Sequence, residues 1–178
     1  MTREEAMKVQ GDLLKALIPV FGETVGYKAG LTNPVGQRAF GVTHPVRGTL
    51  LKNMILKSGS EVPADFGSRP VYEGNFILRV DSERINEAGT PEEALRSIDA
   101  AIPFIELPDL AYAKELKING PALVAVNVCA RYGIAGDPIP VKASRDWMDR
   151  LKKFKLQIPM KRVWCLLRAR GTHFWSTR

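Results

Sequence analysis

The segment 69–80 (RPVYEGNFILRV) constrains the fold most, because it alternates apolar and polar residues before it becomes almost continuously apolar. Such alternation is typical of a β-strand, and residues two apart on a strand project from the same face. Glu73 and Asn75 are therefore expected to direct their side-chain oxygens to one side. A second segment, 103–109 (PFIELPD), places the carboxylate of Glu106 in an otherwise apolar run.

These residues, Glu73, Asn75 and Glu106, are the candidate metal ligands. A buried carboxylate is unfavourable unless it is paired or bound to a cation. Two carboxylates and an amide oxygen form an all-oxygen set that suits magnesium or manganese. The pattern alone leaves two alternatives open: Glu73 as a surface residue of an edge strand, and Glu106 as the partner of a Lys or Arg side chain.

Three further motifs accompany this candidate site. They are 25–32 (VGYKAGLT), 41–48 (GVTHPVRG) and 120–127 (GPALVAVN). Together with the three candidate ligands, they resemble the 2-keto-4-pentenoate hydratase / 4-oxalocrotonate decarboxylase family of the fumarylacetoacetate hydrolase superfamily. The similarity is continuous from residue 25 to about residue 149.

The resemblance implies an α+β fold, with a mixed β-sheet or distorted barrel core flanked by helices and incomplete at its C-terminus. Residues 1–157 are expected to form a partial hydratase-like catalytic domain. Family members continue for roughly another 80 residues beyond the point where the similarity stops, and they usually begin with additional N-terminal helix. The chain is thus interpreted as C-terminally truncated.

The resemblance also implies an activity, that of a hydratase dependent on Mg²⁺ or Mn²⁺ that acts on 2-hydroxy-2,4-dienoates in aromatic-compound catabolism. A 2-oxo-enedioate decarboxylase of the same family is an alternative, as is an inactive family member that serves as an interaction subunit. The expected partner is a small 2-keto or 2-hydroxy dienoic acid. A homo-oligomer is left open.

Residue by residue, the resemblance places the catalytic proton-transfer group at Lys28 and the substrate-binding groups at Thr32, His44, Arg47 and Asp109. From the residues alone, a solvated surface lysine is the simpler interpretation of Lys28, and a surface His–Pro turn is that of His44. Arg47 suits a carboxylate because its planar fork binds two oxygens at once.

Two departures from the family pattern affect the site. Asn75 stands where the family has a carboxylate, so metal affinity is expected to fall because an amide oxygen carries no charge. The segment 128–130 (VCA) stands where many relatives have a Ser-rich turn, and this leaves the substrate class open.

The net charge of +7 is concentrated at the C-terminus. Eight of the 26 basic residues and none of the 19 acidic residues lie in 152–178, so the preceding residues carry 18 basic against 19 acidic groups. Nucleic-acid binding normally uses a basic patch spread over a fold. This distribution therefore argues against a nucleic-acid partner.

Residues 158–178 form an aberrant basic tail that is interpreted as the product of a shifted reading frame. Codons that encode FWSTR can also be read as Leu-Glu-His-Pro, and codons for VWCL as Val-Val-Leu. Both alternative strings resemble the segment with which the family continues. Genomic resequencing that confirms the present frame would contradict this interpretation.

The apolar and capping patterns predict the following secondary structure. A helix over 3–18 begins at a Thr2–Glu5 capping box, buries Ala6, Val9, Leu13 and Leu17, and ends at Pro19. A second helix begins at Thr90-Pro91 and buries residues as far as Ile102. Residues 124–129 are expected to form a buried strand with Asn127 in it, and Ser144 to cap a last helix with Trp147, Met148 and Leu151 on its core face.

The longest apolar runs are too short to cross a bilayer, so no membrane partner is expected. No secretory leader is expected, because the first residues lack the pattern of a basic segment, an apolar segment and small residues. Cys129 and Cys165 are isolated and show no metal-type spacing. A cytoplasmic protein with reduced thiols is the simplest interpretation.

Overall fold

The computed structural model describes residues 1–158 and 169–170. Most of the predicted basic tail lies outside the described residues, so the tail and its boundary with a 1–157 domain stay predictions. Two compact units divide the chain. The first unit comprises Met1–Tyr72 and Leu107–Ile134, and the second comprises Glu73–Glu106 with the described residues from Ala135 onward.

Helices and strands alternate irregularly along the described residues, as the predicted α+β class requires. The helices are α1 (Arg3–Phe21), α2 (Pro34–Ala39), α3 (Pro91–Leu95), α4 (Gly120–Ala125) and α5 (Arg145–Lys153). The strands are β1 (Thr24–Gly30), β2 (Val46–Leu51), β3 (Ile55–Lys57), β4 (Glu73–Val80), β5 (Ile98–Leu107), β6 (Tyr132–Ala135), β7 (Ile139–Pro140), β8 (Lys155–Leu156) and β9 (Ala169–Arg170). Short 3₁₀ turns cover Lys52–Met54, Glu83–Glu87 and Asn127–Cys129.

Helix α1 begins as predicted, because the Thr2 hydroxyl accepts the Glu5 N–H while the Glu5 carboxylate accepts the Thr2 N–H. Its predicted end is wrong, since the helix includes Pro19 and continues to Phe21. Pro19 is exposed, so water can bond to the carbonyl that the missing proline N–H would otherwise have satisfied. The helix thus loses one hydrogen bond without a buried unsatisfied group.

The predicted buried face of α1 is partly wrong. Val9 is 48% exposed, whereas the neighbouring Gln10 is buried. Ala6, Gln10 and Phe21 are the buried residues of the helix, with Leu14 and Leu17 packed beside the Phe21, Leu51 and Met54 cluster of the first unit. A polar residue takes a core position here because its amide has hydrogen-bond partners on β2 and the Asn127 turn, described below.

The strand predicted over 124–129 is also wrong. Asn119 caps α4 by accepting the Ala122 N–H, and Pro121 lies in its first turn, where a missing N–H costs nothing. The helix ends at Ala125, and Asn127–Cys129 follow as a tight turn. Leu123, Val128 and Cys129 pack with Val46 in a second apolar cluster of the first unit.

In the second unit, β4 and β5 pair antiparallel from Glu73 opposite Glu106 to Val80 opposite Ile98. Helix α3 starts at the predicted Thr90 capping box, but it ends at Leu95, and Ile98 to Ile102 belong to β5 rather than to a helix face. Strand β7 pairs with β5 on its other side.

The core of the second unit lies between this sheet and α5. Ser144 caps α5 by accepting the Trp147 N–H, as predicted. Met148 and Leu151 are buried against Leu95, Ile98, Ala101 and Val141, and Trp147 packs partly buried at the edge of this cluster. No helix in the described part of the chain is long and apolar enough to cross a membrane.

Candidate functional site

Strands β4 and β5 bring Glu73, Asn75 and Glu106 to one face of the sheet. Glu73 lies directly opposite Glu106, and Asn75 follows two residues later on the same side. The Asn75 Nδ2 donates a hydrogen bond to Glu106 Oε2 at 2.9 Å. Glu106 is buried and only 6% exposed, whereas Glu73 is exposed. The three predicted ligands therefore form a local cluster.

The composition of this cluster fits a hard divalent cation. Like charges directly opposite each other on paired strands repel, and a cation between Glu73 and Glu106 would relieve that repulsion. Turning the Asn75 amide over would present its oxygen in place of its N–H₂ group. No group of three or more His, Cys, Asp or Glu suited to a metal occurs in the described residues. A cation here would thus depend on the Asn75 oxygen as a third protein ligand.

Lys28 lies on β1 directly opposite Gly48 of β2. Its side chain is half-buried, and its Nζ donates to the Val128 carbonyl at 2.9 Å. A Cβ at Gly48 would come within 2.9 Å of Lys28 Cγ and 2.8 Å of the Asn127 carbonyl. The absent side chain at Gly48 therefore leaves the space through which Lys28 reaches the turn.

The turn that receives Lys28 has an unusual backbone. Asn127, Val128 and Cys129 have φ values of 53°, 51° and 57°, in the left-handed region that L-residues with side chains rarely adopt. Such residues are found mostly where the surrounding structure holds them in place and where function uses them. Here, that support comes from the side chain of Asn127.

Asn127 connects the turn to β2 and to α1. Its Oδ1 accepts the Thr49 N–H at 2.7 Å and the Gln10 amide at 3.2 Å, and its Nδ2 donates to the Thr49 carbonyl at 2.9 Å. Gln10 also donates to the Arg47 carbonyl at 3.0 Å. This buried polar network was not predicted from the sequence, because its members are distant along the chain.

His44 and Arg47 line a cleft of about 290 Å³ in the first unit. Gln10 and Arg3 contribute further donors, and the remaining wall is mostly apolar. Arg47 pairs with Ala29, one residue beyond Lys28, so Arg47 and Lys28 project to opposite faces of the β1–β2 ribbon. The Arg47 guanidinium lies 4.7 Å from the centre of the Tyr27 ring. The structure thus groups His44 with Arg47 but does not place Arg47 on the face of Lys28.

Thr32 is half-buried in the turn that follows Leu31, another left-handed residue with φ 55°. Asp109 is engaged by backbone groups: its Oδ1 accepts the Arg69 N–H at 2.7 Å and its Oδ2 accepts the Ser68 N–H at 3.1 Å. A side chain at Gly67 would collide with this carboxylate. Asp109 therefore holds the 67–69 loop in place.

Arg69 is a candidate functional residue to which the sequence reasoning gave no role. Its Nε and Nη2 are buried nitrogens, and neither has a hydrogen-bond partner within the described residues. A guanidinium is protonated at every accessible pH, so these are two orphaned donors. Its position after the irregular stretch 58–68 (SGSEVPADFGS) gave no signal that these two atoms are buried.

Comparison with known proteins finds decarboxylase and hydratase relatives of this chain. It is 27% identical over 136 residues to a 4-oxalocrotonate decarboxylase from Pseudomonas sp, which covers 76% of this chain and 52% of the relative. It is 26% identical over 107 residues to a 2-keto-4-pentenoate hydratase from Paraburkholderia xenovorans (strain LB400), which covers 60% and 40%. A 2-keto-4-pentenoate hydratase 3 from Pseudomonas putida matches to the same extent. No family model matches.

Solved structures give the same result for the fold. The 4-oxalocrotonate decarboxylase from Pseudomonas putida G7 complexed with calcium and acetate superposes with a TM-score of 0.67 at 23% identity, over 80% of this chain and 52% of that one. Its complex with magnesium and adipate gives a TM-score of 0.66 at 21% identity, over 86% and 56%.

These relatives confirm the family resemblance that the motifs predicted, and the structures confirm the fumarylacetoacetate-hydrolase type of α+β fold. The chain spans about half the length of the relatives it matches.

Proposed function

We propose that this relative of the 2-keto-4-pentenoate hydratase / 4-oxalocrotonate decarboxylase family carries the metal-binding and proton-transfer residues of a hydratase that acts on 2-hydroxy-2,4-dienoates. The observation that carries the proposal is the cluster of Glu73, Asn75 and Glu106 on one face of β4 and β5, with Asn75 bonded to Glu106. The divalent metals named in the solved relatives, calcium and magnesium, support a cation at this cluster.

Each proposed residue has a separate task. Glu73 and Glu106 would hold Mg²⁺ or Mn²⁺ with the Asn75 oxygen. A cation there supplies Lewis-acid stabilisation of negative charge on a substrate oxygen. Lys28 holds a proton on Nζ at a fixed place, because the Val128 carbonyl accepts from it, and it would move that proton to or from the substrate carbon chain. His44 and Arg47 offer donors to an acid group, and Thr32 a hydroxyl.

A decarboxylase of 2-oxo-enedioates is the second candidate. It is favoured by one observation: the decarboxylase relative matches 76% of this chain, against 60% for the hydratases. An inactive chain that retains the family fold as an interaction subunit is a third. The substrate acid, a homo-oligomeric state, the lack of nucleic-acid and membrane partners and the cytoplasmic location stay predictions.

The test is thermal unfolding in EDTA and then in saturating Mg²⁺ or Mn²⁺. A ligand that binds only the native state raises the midpoint, by about 5–10 °C at a hundredfold excess over its dissociation constant. We expect this shift in the unchanged protein and its loss in Glu106→Gln, which keeps the side-chain shape and an oxygen for Asn75.

Glu92→Gln is the matched control, since it removes an exposed carboxylate from the same unit. It should retain the full metal shift. A cooperative transition that ignores metal, or an equal shift in Glu106→Gln, would contradict the proposed site. Assays with a dienoate and an enedioate then separate hydration from loss of carbon dioxide.

A further inference from the structure

The unpaired donors of Arg69 require an explanation. Buried polar groups in native proteins nearly always have a hydrogen-bond partner, and exceptions often mark a missing ligand, ion or water. An unpaired charged donor is especially unfavourable, because the guanidinium cannot lose its proton to escape the penalty. Yet both Nε and Nη2 of Arg69 are buried without a partner in the part of the chain described.

The two donors belong to one edge of the Arg69 guanidinium. In another arginine of this protein, Arg79, the same edge binds a carboxylate. At Arg79, Nε donates to Asp99 Oδ1 at 2.7 Å and Nη2 donates to Asp99 Oδ2 at 2.6 Å. Two parallel bonds of this kind are the strong, planar recognition that arginine offers to carboxylates. Arg69 has the same pair of atoms, and neither has a hydrogen-bond partner among the described residues.

The guanidinium and the backbone of Arg69 both have contacts that restrain them. The guanidinium carbon lies 4.7 Å from the centre of the Tyr112 ring, a cation–π contact. The Arg69 N–H bonds to Asp109 and its carbonyl accepts from the Leu110 N–H at 3.1 Å, so the backbone is tied on both sides. Both oxygens of Asp109 already accept backbone N–H groups.

We propose that the Nε–Nη2 edge of Arg69 binds the carboxylate of a small organic acid. A carboxylate matches the orphaned groups in number, because its two oxygens take one donor each and its single charge balances the single charge of the guanidinium. A phosphate would bring a third exposed oxygen and a further charge that these two donors do not satisfy. This inference does not depend on the proposed metal site.

The experiment measures binding of acetate and succinate in EDTA, by titration calorimetry and by the thermal midpoint, against chloride at the same ionic strength. EDTA removes metal, so a failure of the metal site and a failure at Arg69 are separate results. The unchanged protein is expected to bind the acids. Arg69→Lys keeps the charge but lacks the planar fork, and its affinity is expected to fall at least tenfold.

Arg131→Lys is the matched control. Arg131 is also stacked on aromatic rings, Phe21 and Tyr132, in the same unit, but its Nε already donates to the Phe66 carbonyl at 3.4 Å. Its variant should bind acetate and succinate like the unchanged protein. Equal affinity in Arg69→Lys, or no response beyond that of chloride in the unchanged protein, would overturn the proposal.

Arg69→Met provides a second readout if the lysine variant is poorly folded. Methionine has a similar reach but no orphaned donors, so the acid-free midpoint should stay the same or rise, while the shift with acid disappears. An arginine with a purely structural role would instead give a lower midpoint and an unchanged acid response.

Discussion

At the scale of single residues, Asn75 would set how strongly the metal site proposed on β4 and β5 binds a cation. Its N–H₂ group compensates the buried carboxylate of Glu106 in the metal-free protein. The same amide contributes only a neutral oxygen once a cation is present. Asn75 therefore favours the metal-free state more than an aspartate would.

Asn75→Asp is expected to reverse this balance. The loss of the hydrogen bond and the added repulsion should lower the metal-free stability by about 1–3 kcal/mol, while a third carboxylate should tighten Mg²⁺ and Mn²⁺ binding. Titration calorimetry and metal-free thermal unfolding measure the two effects. Asn86→Asp, at an exposed asparagine of the same unit, is the control and should change neither. Equal or weaker metal binding in Asn75→Asp would contradict this assignment.

Strand periodicity was sufficient to group Glu73 with Asn75, the lone carboxylate in an apolar run indicated Glu106, and the family resemblance added Lys28. Neither the periodicity nor the resemblance indicated a role for Arg69 or Gln10, because the importance of these residues depends on their tertiary environment. Gln10 bonds to Asn127 across 117 positions, and Arg69 stands out because two of its nitrogens have no hydrogen-bond partner among the described residues. Burial of a polar side chain is a tertiary property, and local pattern carries no record of it.

At the scale of elements, the starts of helices were easier to predict than their ends. The capping residues Thr2, Thr90 and Ser144 were correctly identified because their hydroxyls act locally. Helix α3 was extended too far because the apolar residues after Leu95 fit a helical face as well as a strand. These residues form a strand because β5 pairs with β4 and β7. That pairing depends on residues outside the short segment from which the helix was predicted.

The α3 capping box should give the protein a defined response to acid. Hydrogen bonds from the Gly89 and Thr90 N–H groups, and from the Thr90 hydroxyl, lower the pKa of Glu93. A carboxylate whose folded pKa is depressed stabilises the fold above its unfolded pKa, and this contribution is lost as the pH falls through the folded pKa. The stabilisation should thus be complete at neutral pH, decline as the pH falls past the unfolded pKa of about 4.3, and vanish only below the depressed folded pKa.

Urea unfolding of Glu93→Gln between pH 7 and pH 2 measures this contribution. Glutamine keeps an acceptor oxygen without the charge, so the variant should be less stable at neutral pH and equal to the unchanged protein in acid. Glu93→Ala is the comparison, since it lacks the acceptor and should remain less stable throughout. A difference between Glu93→Gln and the unchanged protein that does not vary with pH would show that the charge has no part in it.

At the scale of the whole molecule, the chain divides its apolar residues between two units. Leu51, which is fully buried, belongs to the first unit, and Met148 belongs to the second. Neither unit is continuous in sequence, since the chain leaves the first at Tyr72 and returns to it at Leu107. Each unit nevertheless has a core of its own, which is the usual basis for separate stability.

Hydrogen exchange of Leu51→Ala and Met148→Ala tests this division. Each substitution should cost about 2–5 kcal/mol in its own unit. We expect Leu51→Ala to accelerate exchange in 1–72 and 107–134, and Met148→Ala to accelerate it in 73–106 and 135–153. Uniform acceleration along the chain in both variants would show one cooperative structure instead.

The empty space at Gly48 has a consequence for the history of this sequence. Even the smallest added side chain there would meet both Lys28 and the Asn127 carbonyl. Every single-nucleotide missense change of the Gly48 codon therefore adds a side chain that disturbs both Lys28 and the turn at Asn127. No such substitution is expected to be neutral. In a descendant that no longer uses the proton transfer proposed for Lys28, a side chain at position 48 would no longer be disfavoured for that reason.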